Sequence, residues 1–134
     1  MTELMTELNH PVAGTIKIDV QTRYLAEHLI EEEQKFAFAY KISITNQGDT
    51  DMQLLNRYWL ITDGNGKETE VKGPGVIGEQ PVISPGISYQ YTSGAVLDTP
   101  VGSMQGYYEM QDKAGQLFKA PIDIFRLAVP NLLN

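Results

Sequence analysis

Residues 56–78 read NRYWLITDGNGKETEVKGPGVIG, the stretch that decides the fold. It begins with an aromatic run typical of a strand, and the Asp-Gly-Asn-Gly sequence at 63–66 follows, where Gly and Asn accept the positive φ of a tight turn. The residues after this turn predict a short return strand. The segment therefore predicts a β-hairpin, and it ends in a loop, 73–78, that matches the G-x-G-x-x-G pattern of phosphate binding.

The sequence around this hairpin repeats with a period of two. Apolar and polar residues alternate over 16–21, and the pattern is stronger over 36–45, as expected of half-buried antiparallel strands. Further turn sequences lie at 46–49, 84–86 and 112–115, at the spacing of a sandwich of short strands. The chain is therefore predicted to be an all-β sandwich of two antiparallel sheets.

Length and composition limit the domain count and the location. The 134 residues fit one domain, with 1–13 predicted to be a flexible tail that repeats MTEL and 14–134 predicted to be the sandwich. The chain has no cysteine, which suits the reducing cytoplasm. It also lacks a run of roughly 18 apolar residues, so no membrane partner is expected. A net charge of -7 argues against nucleic acid as a partner.

The glycine pattern at 73–78 fails the contextual test for a dinucleotide site. Such a site needs a helix directly after the loop, whose N-terminus faces the pyrophosphate, whereas Pro81 and Pro85 forbid one here. Pro74 also removes one N–H from the loop. A phosphate held by loop amides and a nearby cation is the remaining alternative. The candidate residues for such an anion site are Arg57, Lys72, Gly73, Gly75 and Gly78.

Catalytic and metal-binding groups are sparse. The two histidines, His10 and His28, lie in the tail and in the acidic stretch 27–34, and no thiol nucleophile exists. Asp49 and Asp51 form too small a set to define a metal site. We therefore predict no catalytic residue, no metal and no cofactor, and a polyphosphate hydrolase is a distant alternative.

The strand after Gln53 assigns residues to two faces. Alternation places Arg57 with Trp59, Leu55 and Ile61 on the core face, and Tyr58 on the opposite face. Trp59 is predicted to pin the sandwich. An arginine that shares a strand face with core residues must extend its charged end to solvent, pair with an acid or line a pocket. Exposed tyrosines on the sheet would form a recognition surface.

Several separated segments carry a resemblance to a known family. The stretches 53–66, 73–78, 89–94, 104–106 and 125–130 resemble the bacterial ApaG family, in the order of that family. The resemblance implies an immunoglobulin-like or fibronectin-III-like sandwich. It also implies an association with cobalt resistance and magnesium efflux, a gene beside a diadenosine-tetraphosphate hydrolase, relatives fused to F-box proteins, and no established catalytic residues.

Two functions follow as hypotheses. The first is a non-catalytic module that binds another protein, because a sandwich with aromatic faces needs no cofactor to do so. The alternative is a binder or sensor of small anions such as pyrophosphate or dinucleotide polyphosphates, which the glycine loop, Lys72 and Arg57 would contact. A homodimer through an exposed sheet edge is a further expectation.

Overall fold

The computed structural model describes residues 15–25 and 35–130, which form strands joined by turns. The strands are β1 (Ile16–Tyr24), β2 (Phe36–Asn46), β3 (Met52–Asp63), β4 (Glu68–Pro74), β5 (Val82–Ile83), β6 (Ser88–Leu97), β7 (Val101–Asp112) and β8 (Leu117–Ala128). The described residues contain no helix that is long and apolar enough to cross a membrane. The predicted tail 1–13, the whole acidic stretch 27–34, and residues 14 and 131–134 of the predicted domain lie outside the described residues.

The strands form two antiparallel sheets. The smaller sheet has the order β1-β2-β6, and the larger has the order β4-β3-β7-β8, with the short β5 paired to one end of β3. The predicted all-β sandwich is confirmed. In a constant-type immunoglobulin domain the fourth strand joins the sheet of the first two, whereas here β4 pairs with β3 in the other sheet.

The core follows the period-two pattern. Strand β2 buries alternate residues, with Phe38, Ile42 and Ile44 all 1% exposed or less. Trp59 of β3 is 2% exposed and packs edge-on against Tyr40 of the opposite sheet, with ring centroids 5.5 Å apart. Each aromatic pair adds about 0.5–1.5 kcal/mol to the burial of its rings. Trp59 is thus the pin of the sandwich, as predicted.

A β-bulge changes the faces of β3 from those predicted. The pairing of β3 with β7 shifts register between Leu54 and Asn56, so Leu55 is an extra residue without an opposite partner. Leu54 is fully buried and Leu55 is only partly so. The predicted core position of Leu55 is wrong, whereas Trp59 and Ile61 do face the core.

The two predicted hairpin turns share one geometry. The amide of Gly66 donates to the carbonyl of Asp63 (2.9 Å), and the amide of Gly115 donates to that of Asp112 (3.0 Å). Both glycines have positive φ, 87° and 89°, which explains why glycine closes each turn. The similar sequences at 58–66 and 107–115 therefore reflect one turn solution used twice.

Asn46 is the buried polar side chain that joins three segments. Its amide nitrogen donates to the carbonyls of Thr50 (2.8 Å) and Ile83 (2.9 Å), and its side-chain oxygen accepts the Gly48 amide (2.9 Å). The residue is 0% exposed. Asn46 therefore ties the end of β2 to β5 and to the turn before β3.

Replacing Asn46 with aspartate should destabilise the fold by about 2–4 kcal/mol, because a carboxylate oxygen would face two carbonyl oxygens in a dry site. Chemical denaturation of both proteins measures the difference. The matched control is Asn65→Asp in the exposed hairpin turn, where the cost should stay below about 1 kcal/mol. Equal losses at the two positions would contradict the role of Asn46.

Candidate functional site

The glycine loop at 73–78 closes as a tight turn whose amides serve the fold. Val76 and Glu79 exchange both backbone hydrogen bonds, at 2.8 and 2.9 Å, around a two-residue tip in which Ile77 has φ 48° and Gly78 has φ 75°. The Gly75 amide donates to the carbonyl of Leu55 (2.8 Å). A β-carbon on Gly75 would lie 2.1 Å from the Glu79 oxygen, so glycine is required there for space as well as for φ. The loop continues to β5 rather than to a helix.

The side chain of Arg57 binds the backbone of this loop. Its Nη1 donates to the carbonyls of Pro74 (3.1 Å) and Gly75 (3.0 Å). The guanidinium lies so close to Gly73, the residue paired with Arg57 across the strands, that a β-carbon there would be 3.0–3.2 Å from three of its atoms. Glycine at 73 thus allows the arginine to approach the loop backbone.

The inner cavity lies between the sheets beneath the loop. It has a volume of about 200 Å³, and its lining comprises Tyr40, Arg57, Trp59, 76–78, Tyr91 and Ser93. Tyr40 pairs with Ser93 across β2 and β6, while Arg57 enters from β3 in the other sheet. The cavity therefore combines one cation with hydroxyl groups and apolar walls.

Tyrosine hydroxyls converge beside Arg57. The Tyr91 hydroxyl forms a short hydrogen bond with that of Tyr108, which links the two sheets. Burial raises the pKa of Tyr40, Tyr91 and Tyr108, and the charge of Arg57 acts on all three in the opposite direction. These phenols are therefore neutral hydrogen-bonding groups at physiological pH, held near a positive charge.

The outer groove lies on the solvent-facing side of the larger sheet and has a volume of about 360 Å³. Tyr58 and Tyr107 stack there with ring centroids 5.0 Å apart and an interplanar angle of 25°. The ammonium of Lys72 lies 5.7 Å from the centre of the Tyr58 ring, and that of Lys119 lies 4.7 Å from the centre of the Tyr107 ring. This is the face that alternation assigned to Tyr58.

The predicted anion-site residues are divided between these two sites. Arg57, Lys72 and Gly73 border the outer groove, whereas Gly78 borders the inner cavity, which Arg57 also reaches. Gly75 lines neither, and its amide is bound to Leu55. Sequence reasoning missed Tyr40, Tyr91 and Ser93. In the sequence, each of these residues is a hydroxyl-bearing residue at a position that alternation assigns to the core face. The pairing of the strands, which the sequence does not show, brings them together.

The described residues contain no group of three or more acidic, histidine or cysteine side chains placed to hold a metal ion. His10 and His28 lie outside these residues. Asp98, one of the acids that the structure does place, forms ion pairs with Lys35 and with Lys67, which lower the pKa of its carboxyl group.

The family model described as "ApaG domain" matches residues 26–112. The chain belongs to the ApaG family. It is 55% identical to the protein ApaG of Yersinia pseudotuberculosis (serotype O:1b, strain IP 31758) over 119 residues, which cover 89% of this chain and 95% of the relative. The protein ApaG of Yersinia pestis (strain Pestoides F) is 54% identical over the same length and the same shares of both chains.

Two solved structures share the architecture of this chain. One is the X-ray structure of a Northeast Structural Genomics Consortium target, with 48% identity and a TM-score of 0.87 over 91% of this chain and 92% of that one. The other is the crystal structure of the putative ApaA protein from Bordetella pertussis, with 41% identity and a TM-score of 0.83 over 87% and 94%. The resemblance found in the separated sequence segments is confirmed.

Glu70 controls the ionisation of Tyr58 on the outer face. The Tyr58 hydroxyl donates to the Glu70 carboxylate (2.6 Å), and this bond is the main cause that raises the pKa of Tyr58 to about 12. Because the pKa of Tyr58 is raised in the folded state, the hydrogen bond contributes fully to the stability of the fold below pH 10.0, the ordinary pKa of tyrosine. This contribution is lost as the pH rises through about 12.

Replacing Glu70 with glutamine should lower the pKa of Tyr58 towards 10.0, because the neutral amide neither accepts as strongly nor repels the phenolate. A pH titration of the Tyr58 ring resonances by NMR measures the change. Glu68→Gln is the control, since Glu68 is the weakest cause of the shift. An unchanged Tyr58 titration in Glu70→Gln would show that another group holds the proton.

Proposed function

We propose that this ApaG chain is a non-catalytic module that binds another protein through the outer face of its larger sheet. The observation that carries the proposal is a row of side chains across four strands. Lys72, Tyr58, Tyr107 and Pro121 are successive cross-strand partners on β4, β3, β7 and β8. The row presents two stacked rings between a cation and a proline, on a face that no other part of the described chain covers.

This row has the character of an interface centre. Tyrosine contributes a large rigid surface with little conformational entropy to lose, and it is among the residues enriched at binding hot spots. The stacking of Tyr58 on Tyr107 and the Tyr58–Glu70 hydrogen bond hold the rings in place before a partner arrives. Preorganisation of this kind reduces the entropic cost of binding.

Charged groups of both signs surround the rings. Glu70 lies beside Tyr58, and Glu109 accepts a hydrogen bond from the Asn56 amide (2.7 Å). Ile124 of β8 is 61% exposed next to this surface and extends its apolar area. An apolar centre with a mixed-charge rim favours a protein partner over a polyanion.

We also propose a location, a fold class and a biological link for this chain. The location is the cytoplasm, the class is immunoglobulin-like or fibronectin-III-like, and the link is to cobalt resistance and magnesium efflux. The reducing-compartment argument from the absence of cysteine supports the first. The arrangement in two antiparallel sheets supports the second, with β4 placed beside β3 rather than where a constant-type immunoglobulin domain has it. The link to metal tolerance rests on the family resemblance alone. A partner that carries out the metal-related process would reconcile it with a module that itself holds no catalytic site.

The double variant Tyr58→Ser/Tyr107→Ser should weaken binding of a partner captured from extract of the native cells by at least about 2 kcal/mol, roughly 30-fold. Surface-immobilised protein and the purified partner give the affinity. The control is Val96→Ser on the smaller sheet, where the side chain is 56% exposed and affinity should be unchanged. Failure to capture any partner, or equal loss in both variants, would reject the outer face.

The binding of small anions remains the alternative function, and Arg57 supports it as a cation close to the glycine loop. Calorimetry with pyrophosphate and diadenosine tetraphosphate tests it, with Lys72→Ala expected to reduce binding if the outer groove is the site. Flat titrations at millimolar ligand would dismiss this alternative.

Phosphate release over a panel of polyphosphates tests the hydrolase hypothesis in the same samples.

A further inference from the structure

The inner cavity contains a positive charge that the described residues leave without a carboxylate partner. The hydrogen bonds of Arg57 in this part of the chain go to the neutral carbonyls of Pro74 and Gly75. Asp19 and Asp98 form ion pairs with lysines and not with Arg57. Since a guanidinium stays protonated throughout the physiological range, the cavity keeps its charge.

The way Arg57 binds the loop leaves one edge of its planar group available. Nη1 directs its two hydrogens to the carbonyls of Pro74 (3.1 Å) and Gly75 (3.0 Å). The Nε and Nη2 hydrogens lie side by side on another edge, and the described chain provides no acceptor for them. A parallel pair of N–H groups matches the two oxygens of a carboxylate.

Hydroxyl groups add further donors to the same cavity. Tyr91 and Tyr108 share one hydrogen in their mutual bond, so one of the two hydroxyl hydrogens is left to donate. Tyr40 and Ser93 are cross-strand partners on β2 and β6, and their hydroxyl groups belong to the lining of the same cavity. The cavity is therefore rich in donors, as an anionic acceptor requires.

Size and charge restrict what the cavity holds. Its volume of about 200 Å³ lies below the range of roughly 300–1,000 Å³ typical of drug-sized ligands. A dinucleotide polyphosphate does not fit this space. Trp59 and Val76 give it apolar walls, and Arg57 is the one charged residue in its lining. One cation with apolar walls suits a singly charged acidic group on a carbon stem.

Ile77 lies at the rim of the cavity in a strained conformation. Its φ of 48° is unusual for a β-branched residue, and it is the one non-glycine with positive φ among the described residues. Its side chain is 61% exposed although it is apolar. Strain of this kind is concentrated at binding sites, where surrounding structure compensates for it.

We infer that the inner cavity is a receptor site for a single carboxylate group, held by the Nε and Nη2 hydrogens of Arg57 and by the hydroxyls of Tyr40 and Ser93. The carboxylate belongs either to an acidic side chain of a protein or to a free small carboxylic acid. Arg57 borders the outer groove as well, but Tyr40 and Ser93 belong to the inner cavity and the stacked tyrosines do not, so the site does not depend on the outer face being an interface.

NMR titration with acetate tests the site directly in the full chain. Acetate should produce saturable shifts of the Arg57 Nε–H and of the Ile77 and Gly78 amides. Arg57→Lys keeps the charge but removes the paired N–H groups, and it should weaken acetate binding about tenfold. Lys72→Ala is the control, because Lys72 lies over Tyr58 on the outer face, and its effect should stay within about twofold.

Tyr40→Phe keeps the ring that packs on Trp59 and removes one donor, so it tests the site even if Arg57→Lys disturbs the loop. It should weaken acetate binding roughly three- to tenfold, with the dispersion of the spectrum unchanged.

Two short peptides that differ only in a central Glu or Gln separate the sources of the carboxylate. Stronger binding of the Glu peptide than of acetate indicates a protein side chain, and binding of acetate alone indicates a free acid.

Three results would overturn the inference. The first is that neither acetate nor the Glu peptide shifts the cavity resonances. The second is that Lys72→Ala weakens acetate binding as much as Arg57→Lys does, and the third is that orthophosphate binds the cavity more tightly than acetate. The first result removes the site, the second moves it to the outer groove, and the third replaces the carboxylate with a phosphate. None of them bears on capture of a protein partner by Tyr58 and Tyr107.

Discussion

The packing of Trp59 against Tyr40 is the contact on which the rest of the sandwich depends. It joins the two sheets at their centre, and Phe125 and Tyr108 enclose the indole from its own sheet, at 5.8 and 6.3 Å between ring centroids. Two of these rings, Tyr40 and Tyr108, carry hydroxyl groups on whose pKa the positive charge of Arg57 acts. The aromatic centre of the core therefore has a polar side, and Arg57 lies on that side.

Strand β3 connects this core to both candidate sites. Arg57 and Tyr58 are neighbours in sequence and both border the outer groove, yet only Arg57 also reaches the inner cavity. The glycine loop completes the inner site by supplying carbonyls to Arg57. Its glycines therefore serve the backbone path and the close approach of a guanidinium, and the loop continues to β5 instead of the helix that a dinucleotide-binding motif requires.

Much of the architecture could be predicted because it follows from local rules. The alternation of β2, the Asp63 and Asp112 turns and the burial of Trp59 each depend on a few consecutive residues, and the structure has all of them. The face of Leu55 could not be predicted in this way, since a bulge depends on the pairing of β3 with β7 rather than on local sequence.

The sites were harder to predict than the fold for a related reason. The Tyr40–Ser93 and Tyr58–Tyr107 pairs join residues about fifty positions apart, so their contact depends on register. Sequence reasoning found Arg57 because an arginine in a core phase is conspicuous. It could not find the partners of Arg57, because the carbonyls of Pro74 and Gly75 become acceptors only through the shape of the loop.

The extra residue at Leu55 has a consequence for how this chain can change in length. The Leu55 carbonyl accepts both the Gly75 amide (2.8 Å) and the Gln80 side chain (2.9 Å), so the bulge also anchors the glycine loop. Deleting Leu55 would close the bulge and leave Leu54 opposite Met110 and Asn56 opposite Glu109, so Arg57 and Tyr58 would keep their faces, but the carbonyl that anchors the loop would be lost. The loss of this one residue would therefore act on the glycine loop, and through it on the Gly75 carbonyl that Arg57 binds, while the order of the two faces of β3 is kept.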